Sequence, residues 1–328
     1  MTEDRTADDV ANAFPHLKNW TQDDPSHPFH PSRHFLPAIP ASFEVIIDDL
    51  ERANPVGLSN RKTTFRSQAD NIEGLLNLRS ELVIASSLAR NHVDFSFSPE
   101  SPDMICETEL GRVGVEATTR VRDDLAHVHG ALEERLTAEL EVSATLRRTV
   151  EVFKVDMSRE QELLAAVDEA IAARKPGPVS IANLGIAVDL HYGTGFPANH
   201  RVTWSPLLDP GPYWKGAARE FTTAIAKKGE KTYAVPTLVA VDVTRLGDML
   251  HWLMFQPSEE ELTQHLSSDL LGNLRAVALV ISGNLQAAGM ALTASYANPA
   301  FAPEGAELLD WFREATQLTL SLAEQDQA

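Results

Sequence analysis

Three acidic residues occupy unusual places in this chain of 328 residues. Glu116 interrupts the strand-like run Val113–Thr118, and Asp103 follows Pro102 at the start of the preceding apolar run. Glu81 lies inside the periodic stretch Asn71–Arg90. A carboxylate among apolar neighbours is expensive unless an arginine, backbone donors or a metal ion meets it. Oxygens from adjacent elements suit a hard cation, since Mg²⁺ takes one or two carboxylates and completes its shell with water and substrate phosphate. The competing reading is ion pairing alone, with Arg79, Arg112 or Arg120 satisfying the three charges.

The elements that must position these residues follow from periodicity. In Asn71–Arg90, Ile72, Leu75, Leu78, Leu82, Ala85 and Ala89 recur at three- and four-residue steps, which predicts a helix with one buried stripe and Glu81 on its shoulder. A short strand, Val93–Phe97, comes next, then a strand opening at Pro102-Asp103. A two-residue turn at Gly111-Arg112 leads back through Val113–Thr118. Alternation puts Val113, Val115 and Ala117 on one face of that strand and Gly114, Glu116 and Thr118 on the other. In such a hairpin Asp103 approaches Glu116, given some twist or a bulge.

The quoted segments, Glu81-Leu-Val-Ile-Ala85, Val93-Asp-Phe-Ser-Phe, Pro102-Asp103-Met-Ile and Gly-Arg-Val-Gly-Val-Glu116-Ala-Thr118, resemble the core of the PD-(D/E)XK nucleases, the restriction-endonuclease-like fold. The resemblance covers about fifty residues. It implies that Asp103 and Glu116 are metal-binding carboxylates, that Glu81 is the helix acid many members add, and that the cofactor is Mg²⁺ or Mn²⁺. Thr118 stands where the family usually keeps a lysine, one residue past the second carboxylate. Some members carry that lysine on a neighbouring helix instead. Here the helix Tyr213–Lys228 offers one. Trp214, Ala217, Ala218, Phe221, Ala224 and Ile225 form its buried stripe, and Lys228 continues that line. Lys227 falls on the outer side, and Lys231 lies one turn on. The plainer account of Lys228 is a cation snorkelling at a helix C-terminus.

Two functions are therefore expected in competition. One is Mg²⁺-dependent hydrolysis of nucleic-acid phosphodiesters, with Asp103, Glu116 and Lys228 catalytic and Arg61, Lys62 and Lys231 binding substrate phosphates. The other is a degenerate member of the same fold that binds or scaffolds. Thr118 and the net charge of −19 favour the second, because polyanion binding draws on Lys and Arg.

The rest bounds the answer. The composition is that of a soluble globular protein, and no apolar run predicts a membrane span. An acidic, polar N-terminus without an export signal and a single cysteine, Cys106, predict a reducing cytoplasm. Cys106 reads as packing. Residues 1–42 read as a proline-rich arm, poorly ordered or wrapped on the body, whose His27, His30 and His34 belong to a packed loop more than to a metal site. A helix is expected around Phe43–Ala53, facing inward with Phe43, Val45, Ile46, Ile47 and Leu50, and a polar loop over Pro55–Arg66. Beyond the centre the pattern predicts helix Asp124–Leu146, strand Thr149–Val155, helix Arg159–Arg174, strands Val179–Tyr192 and His200–Ser205, and a buried central strand Pro236–Val243. Helices Arg245–Phe255 and Glu259–Leu271, strands Ala276–Ser282 and Met290–Ser295, and helix Glu304–Leu322 complete it. The fold class is α/β, a mixed central sheet flanked by helices in one domain over residues 43–328.

Overall fold

The structure is a computed structural model that describes residues 12–33, 38–119, 123–136, 139, 141–148, 157–182, 184–193, 202–205, 221–243, 264–282 and 288–316. Ten strands are named in it: β1 Phe95–Phe97, β2 Met104–Thr108, β3 Gly111–Thr119, β4 Val142–Arg148, β5 Gly177–Ser180, β6 Ile186–Tyr192, β7 Val202–Ser205, β8 Thr237–Asp242, β9 Ala276–Ile281 and β10 Ala291–Ala297. They form a six-stranded sheet, β1-β2-β3-β8-β9-β10, and a four-stranded sheet, β5-β6-β4-β7. Where the sequence reading expects one body over 43–328, the chain divides into two compact units. One comprises residues 1–120, 221–245 and 252–328, the other residues 121–220 and 246–251.

The first unit is α/β, with a mixed central sheet. β3, β8 and β9 run parallel, while β1, β2 and β10 pair antiparallel at the edges. Every residue of β8 and β9 is buried, as expected of strands covered on both faces. One face carries Val113, Val115, Leu238, Ala240, Ala276 and Ala278 into a single core cluster with helices α2 (Ala38–Ala53) and α4 (Ile72–Arg90) and with the helix Glu304–Ala315. The other face carries a row set by the register Glu116↔Val239↔Val277. Glu116 thus ends a row of fully buried valines, which explains why its side chain is buried too.

Helix α4 begins at Asn71, whose side chain accepts from the Gly74 N–H and caps the first turn. The predicted stripe is buried at Leu75, Leu78, Leu82 and Ala85; the side chain of Ile72 lies outside the described residues. Burial extends beyond one stripe, however. Across residues 78–88 only Glu81 is not fully buried. Over that stretch the helix is enclosed except at the acid.

The described part of the N-terminal arm is the packed wrap that the sequence reading offered, and it supplies core. Leu17, Trp20 and Phe29 are fully buried, and helix α1 (Pro15–Trp20) is clasped by the Glu44 carboxylate, which accepts from the His16 and Leu17 N–H groups. His27 stacks on Phe65 at 4.9 Å, while His34 lies outside the described residues. The helix expected at Phe43–Ala53 starts five residues earlier, with Pro40 tolerated in its first turn, and Val45 is 44% exposed rather than inward. The loop expected over Pro55–Arg66 is largely helix α3, Leu58–Ser67, anchored by buried Leu58 and Phe65. Its two widely spaced anchors gave too thin a stripe to read. The hairpin turn is at Glu109-Leu110, two residues before the expected Gly111-Arg112. Gly111, at φ 91°, already pairs with Thr108.

The second unit packs the helices Asp123–Leu136 and Glu160–Ala172 on its sheet through Leu132, Leu136, Leu163, Val167, Leu146 and Val188. The helix expected to run to Leu146 stops at Leu136. Val142, Ala144 and Leu146 alternate inward as β4, a period of two that the longer leucine pattern masked. The single strand expected over Val179–Tyr192 is two antiparallel strands, β5 and β6, with Gly185 at φ 91° just before β6. Arg120, Leu140, Trp214, Ala217 and Ala218, the strand expected at Thr149–Val155 and the helix at Arg245–Phe255 lie outside the described residues.

Candidate functional site

The β2–β3 hairpin sets the two central acids side by side. Its register pairs Met104 with Val115 and runs without a shift to Thr108 and Gly111, so the next step outward places Asp103 beside Glu116. No bulge is needed. The Asp103 Oδ2 accepts the Ala117 backbone N–H at 2.8 Å, and its own carbonyl accepts from the Ser98 N–H at 2.9 Å. Gly114 makes this approach possible. A Cβ there would lie 2.6 Å from Pro102 Cγ and 2.4 Å from Thr237 Oγ1, so a hydrogen at this position lets Pro102 sit against β3 and deliver Asp103.

Glu116 is met by two ammonium groups on one oxygen. Lys228 and Lys231 both reach its Oε1, the second at 2.8 Å, and Lys231 also donates to Ser101 Oγ at 2.6 Å. The other oxygen, Oε2, is buried and has no hydrogen-bond partner among the described residues. An unpaired oxygen on a buried carboxylate is costly. It marks where a further positive group fits.

Helix α4 presents Glu81 toward the same acids, with its side chain 13% exposed. Arg61 of α3 ion-pairs with it and also donates to the Ser98 and Asp103 carbonyls at 3.1 and 3.5 Å, while its guanidinium lies 5.2 Å above the Phe97 ring. Burial, and then the negative charge of Asp103, push the Glu81 carboxyl up to about 7 despite Arg61. Burial followed by Glu116 raises Asp103 as well, with Lys228, the Ala117 N–H and Arg61 pulling it back. Each acid thus feels the others. Three carboxyl groups and three cations are folded together.

The lysines come from one turn. Residues 221–229 are helical, with Phe221, Ala224 and Ile225 buried, Lys227 exposed and Lys228 half-buried, as the inward line predicted. The turn is tied down at its backbone. Tyr233 donates its hydroxyl to the Lys228 carbonyl at 3.0 Å, and the Asn273 amide donates to the Lys231 carbonyl at 2.9 Å. Tyr233 is itself pushed upward by burial, then by Glu116 and Asp103.

Of the residues singled out from sequence, Glu81, Asp103, Glu116, Lys228, Lys231 and Arg61 come together. Lys62 does not. It pairs with Glu51 at 3.3 Å and lies 5.8 Å above the Trp20 ring. Arg61 is spent on Glu81 and two carbonyls rather than standing in a phosphate-binding loop. Among the arginines considered as alternative partners, Arg112 pairs with Glu107 and Arg79 donates to Ser282. Ser101, Tyr233 and the Ala117 N–H were not legible, since each is made relevant only by tertiary placement. Asp242 is buried and accepts from Ser80 and Ser282. Cys106 is packing: it is fully buried, and burial raises its thiol to about 12.

The donors that suit a hard cation are Glu116 Oε2 and the Asp103 carboxylate. Among the described residues no group of three or more His, Cys, Asp or Glu is placed to hold a metal, and none of their helices is long and apolar enough to cross a membrane. No protein-family model, no curated protein and no solved structure matches the chain.

Proposed function

We propose that this chain is a divalent-cation-dependent phosphodiesterase acting on nucleic acid, with its centre at Asp103 and Glu116. The observation that carries the reading is the buried Glu116 carboxylate, bonded through one oxygen to Lys228 from a distant helix while its other oxygen has no partner among the described residues. That is the chemistry of a cation seat beside a fixed ammonium. The order of helix α4, the three strands β1–β3, the 221–229 helix and the parallel strand β8 supports the resemblance to the PD-(D/E)XK nucleases. With Thr118 at the usual lysine position, Lys228 is the substitute.

The residues fit Mg²⁺ held by two carboxylates, with water and substrate completing its shell. When bound, the cation supplies a polarised phosphoryl oxygen and a water of lowered pKa. The protein's own side chains do the rest. Lys228 pairs with the buried Glu116 carboxylate and offers positive charge to the phosphoryl oxygens as negative charge develops on them. Arg61 holds Glu81 and the Ser98–Asp103 backbone in place, so that the acids stay converged. Water oxygen bonds to phosphorus, the phosphorus–oxygen ester bond breaks, and the proton leaves with the departing oxygen.

A second reading has its own observation. Glu116 and Glu81 already have cationic partners in the protein, an arrangement a metal-free binding or scaffold protein would also show. Purified protein incubated with DNA and RNA in Mg²⁺ or Mn²⁺ separates the two. Cleavage lost in Asp103→Asn supports the enzyme; no cleavage together with no calorimetric cation binding supports the scaffold.

A further inference from the structure

The two ammonium groups on Glu116 are not equivalent. Lys228 is 21% exposed and lies along the buried line of its helix, whereas Lys231 is 39% exposed and also holds the Ser101 hydroxyl. Both crowd one oxygen, and Oε2 is left alone. Like charges at that spacing repel, so something must hold them there. The backbone does so. Besides the Tyr233 and Asn273 side-chain bonds, Lys231 N–H donates to the Lys228 carbonyl at 3.1 Å and Asn273 N–H to the Gly229 carbonyl at 3.0 Å. Gly229 lies so close to the segment behind it that a Cβ would come 2.6 Å from the Leu271 carbonyl oxygen. The turn is clamped, and the part of Lys231 free to move is its four-carbon side chain.

We propose that the Lys231 ammonium is an internal competitor for the divalent cation at Glu116. This rests on the cation-binding reading of Asp103 and Glu116. In the metal-free protein Lys231 supplies positive charge that the buried carboxylates need. A divalent cation at Glu116 and the Lys231 ammonium exclude each other, by displacement or by repulsion across the same carboxylate, so cation binding releases Lys231 toward the half-exposed rim. By reciprocity, an anionic phosphate that draws Lys231 outward tightens the cation. Cation and nucleic acid then bind cooperatively, and the centre assembles fully only when substrate is present.

Calorimetric titration with Mn²⁺ at fixed ionic strength and pH tests this without reading activity. Lys231→Ala is expected to bind Mn²⁺ roughly threefold to fivefold more tightly than wild type, the scale of one partly exposed ion pair. Lys231→Arg, which keeps the charge, is expected to match wild type. Lys227→Ala, which removes a charge from the exposed side of the same helix, is expected to stay within about twofold. Lys231→Met retains the aliphatic stem and carries the test if thermal unfolding shows that the alanine variant is misfolded. Binding by Lys231→Met where wild type binds undetectably is the extreme form of the expected result. Wild-type or weaker affinity in both neutral variants overturns the competition while leaving the cation site standing, as does equal tightening in Lys227→Ala. Absence of Mn²⁺ binding in every protein overturns the cation reading itself, and the competition with it.

Discussion

Glu116 is a charge that the fold has buried at the end of a row of valines, and the chemistry follows from what surrounds it. Lys228→Met removes the ammonium while keeping the stem, and is expected to lower cation-dependent cleavage by about 10²–10³ in kcat, the usual cost of one preorganised charge-stabilising donor. Its circular dichroism and oligomeric behaviour should be unchanged. Glu81 gives a prediction about pH. Its carboxyl titrates near 7 in the folded protein against an ordinary 4.5, so the folded state keeps a proton that the unfolded chain releases. Stability is therefore full below about 4.5 and falls as pH rises through about 7. Urea unfolding in EDTA should show wild type losing roughly 2 kcal/mol between pH 5 and 8 that Glu81→Gln does not lose, because the amide has no proton to surrender. A parallel decline in both proteins would contradict the assignment.

At the scale of elements, the hairpin and helix α4 do the positioning, and Gly114 sets how near Pro102 comes to β3. Gly114→Ala is expected to destabilise by about 1–3 kcal/mol in denaturant titration, as overpacking against Pro102 and Thr237 does, and to weaken Mn²⁺ binding by moving Asp103. A variant of wild-type stability and affinity would show that the close contact is not needed. This is also the scale at which sequence was most informative. The α4 stripe, the alternation around Glu116 and the inward line ending at Lys228 all come from period alone. The hairpin turn was placed two residues late, because glycine in a left-handed conformation serves equally well just after a turn as within it. Helix α3 reads as loop in sequence because Leu58 and Phe65 are its only buried anchors, and polar sequence between anchors carries no period. Arg61 stands out in sequence by its charge, but its real partner, Glu81, is twenty residues away and visible only in three dimensions.

The whole molecule adds a field and a second unit. A run of strands and helices with no linker long or polar enough to separate two domains reads as one domain, and only the contact pattern separates residues 121–220 from the unit that carries the site. With a net charge of −19, the protein repels a polyanion at long range, and salt screens that repulsion over about 10 Å at 0.1 M. Cleavage under subsaturating substrate and fixed free Mg²⁺ is thus expected to rise between roughly 20 and 100 mM monovalent salt, the reverse of a basic nuclease. A steep fall over that range would point to a local basic groove that outweighs the global charge.

The central claim is that Asp103 and Glu116 hold a divalent cation that drives phosphodiester hydrolysis. It is tested most directly by incubating purified wild type and Glu116→Gln with labelled single- and double-stranded DNA and RNA, in Mn²⁺ and in EDTA. Cleavage by wild type in Mn²⁺, abolished by EDTA and by the single substitution, is the predicted result. No cleavage of any substrate by folded wild type, or cleavage that survives Glu116→Gln, contradicts it.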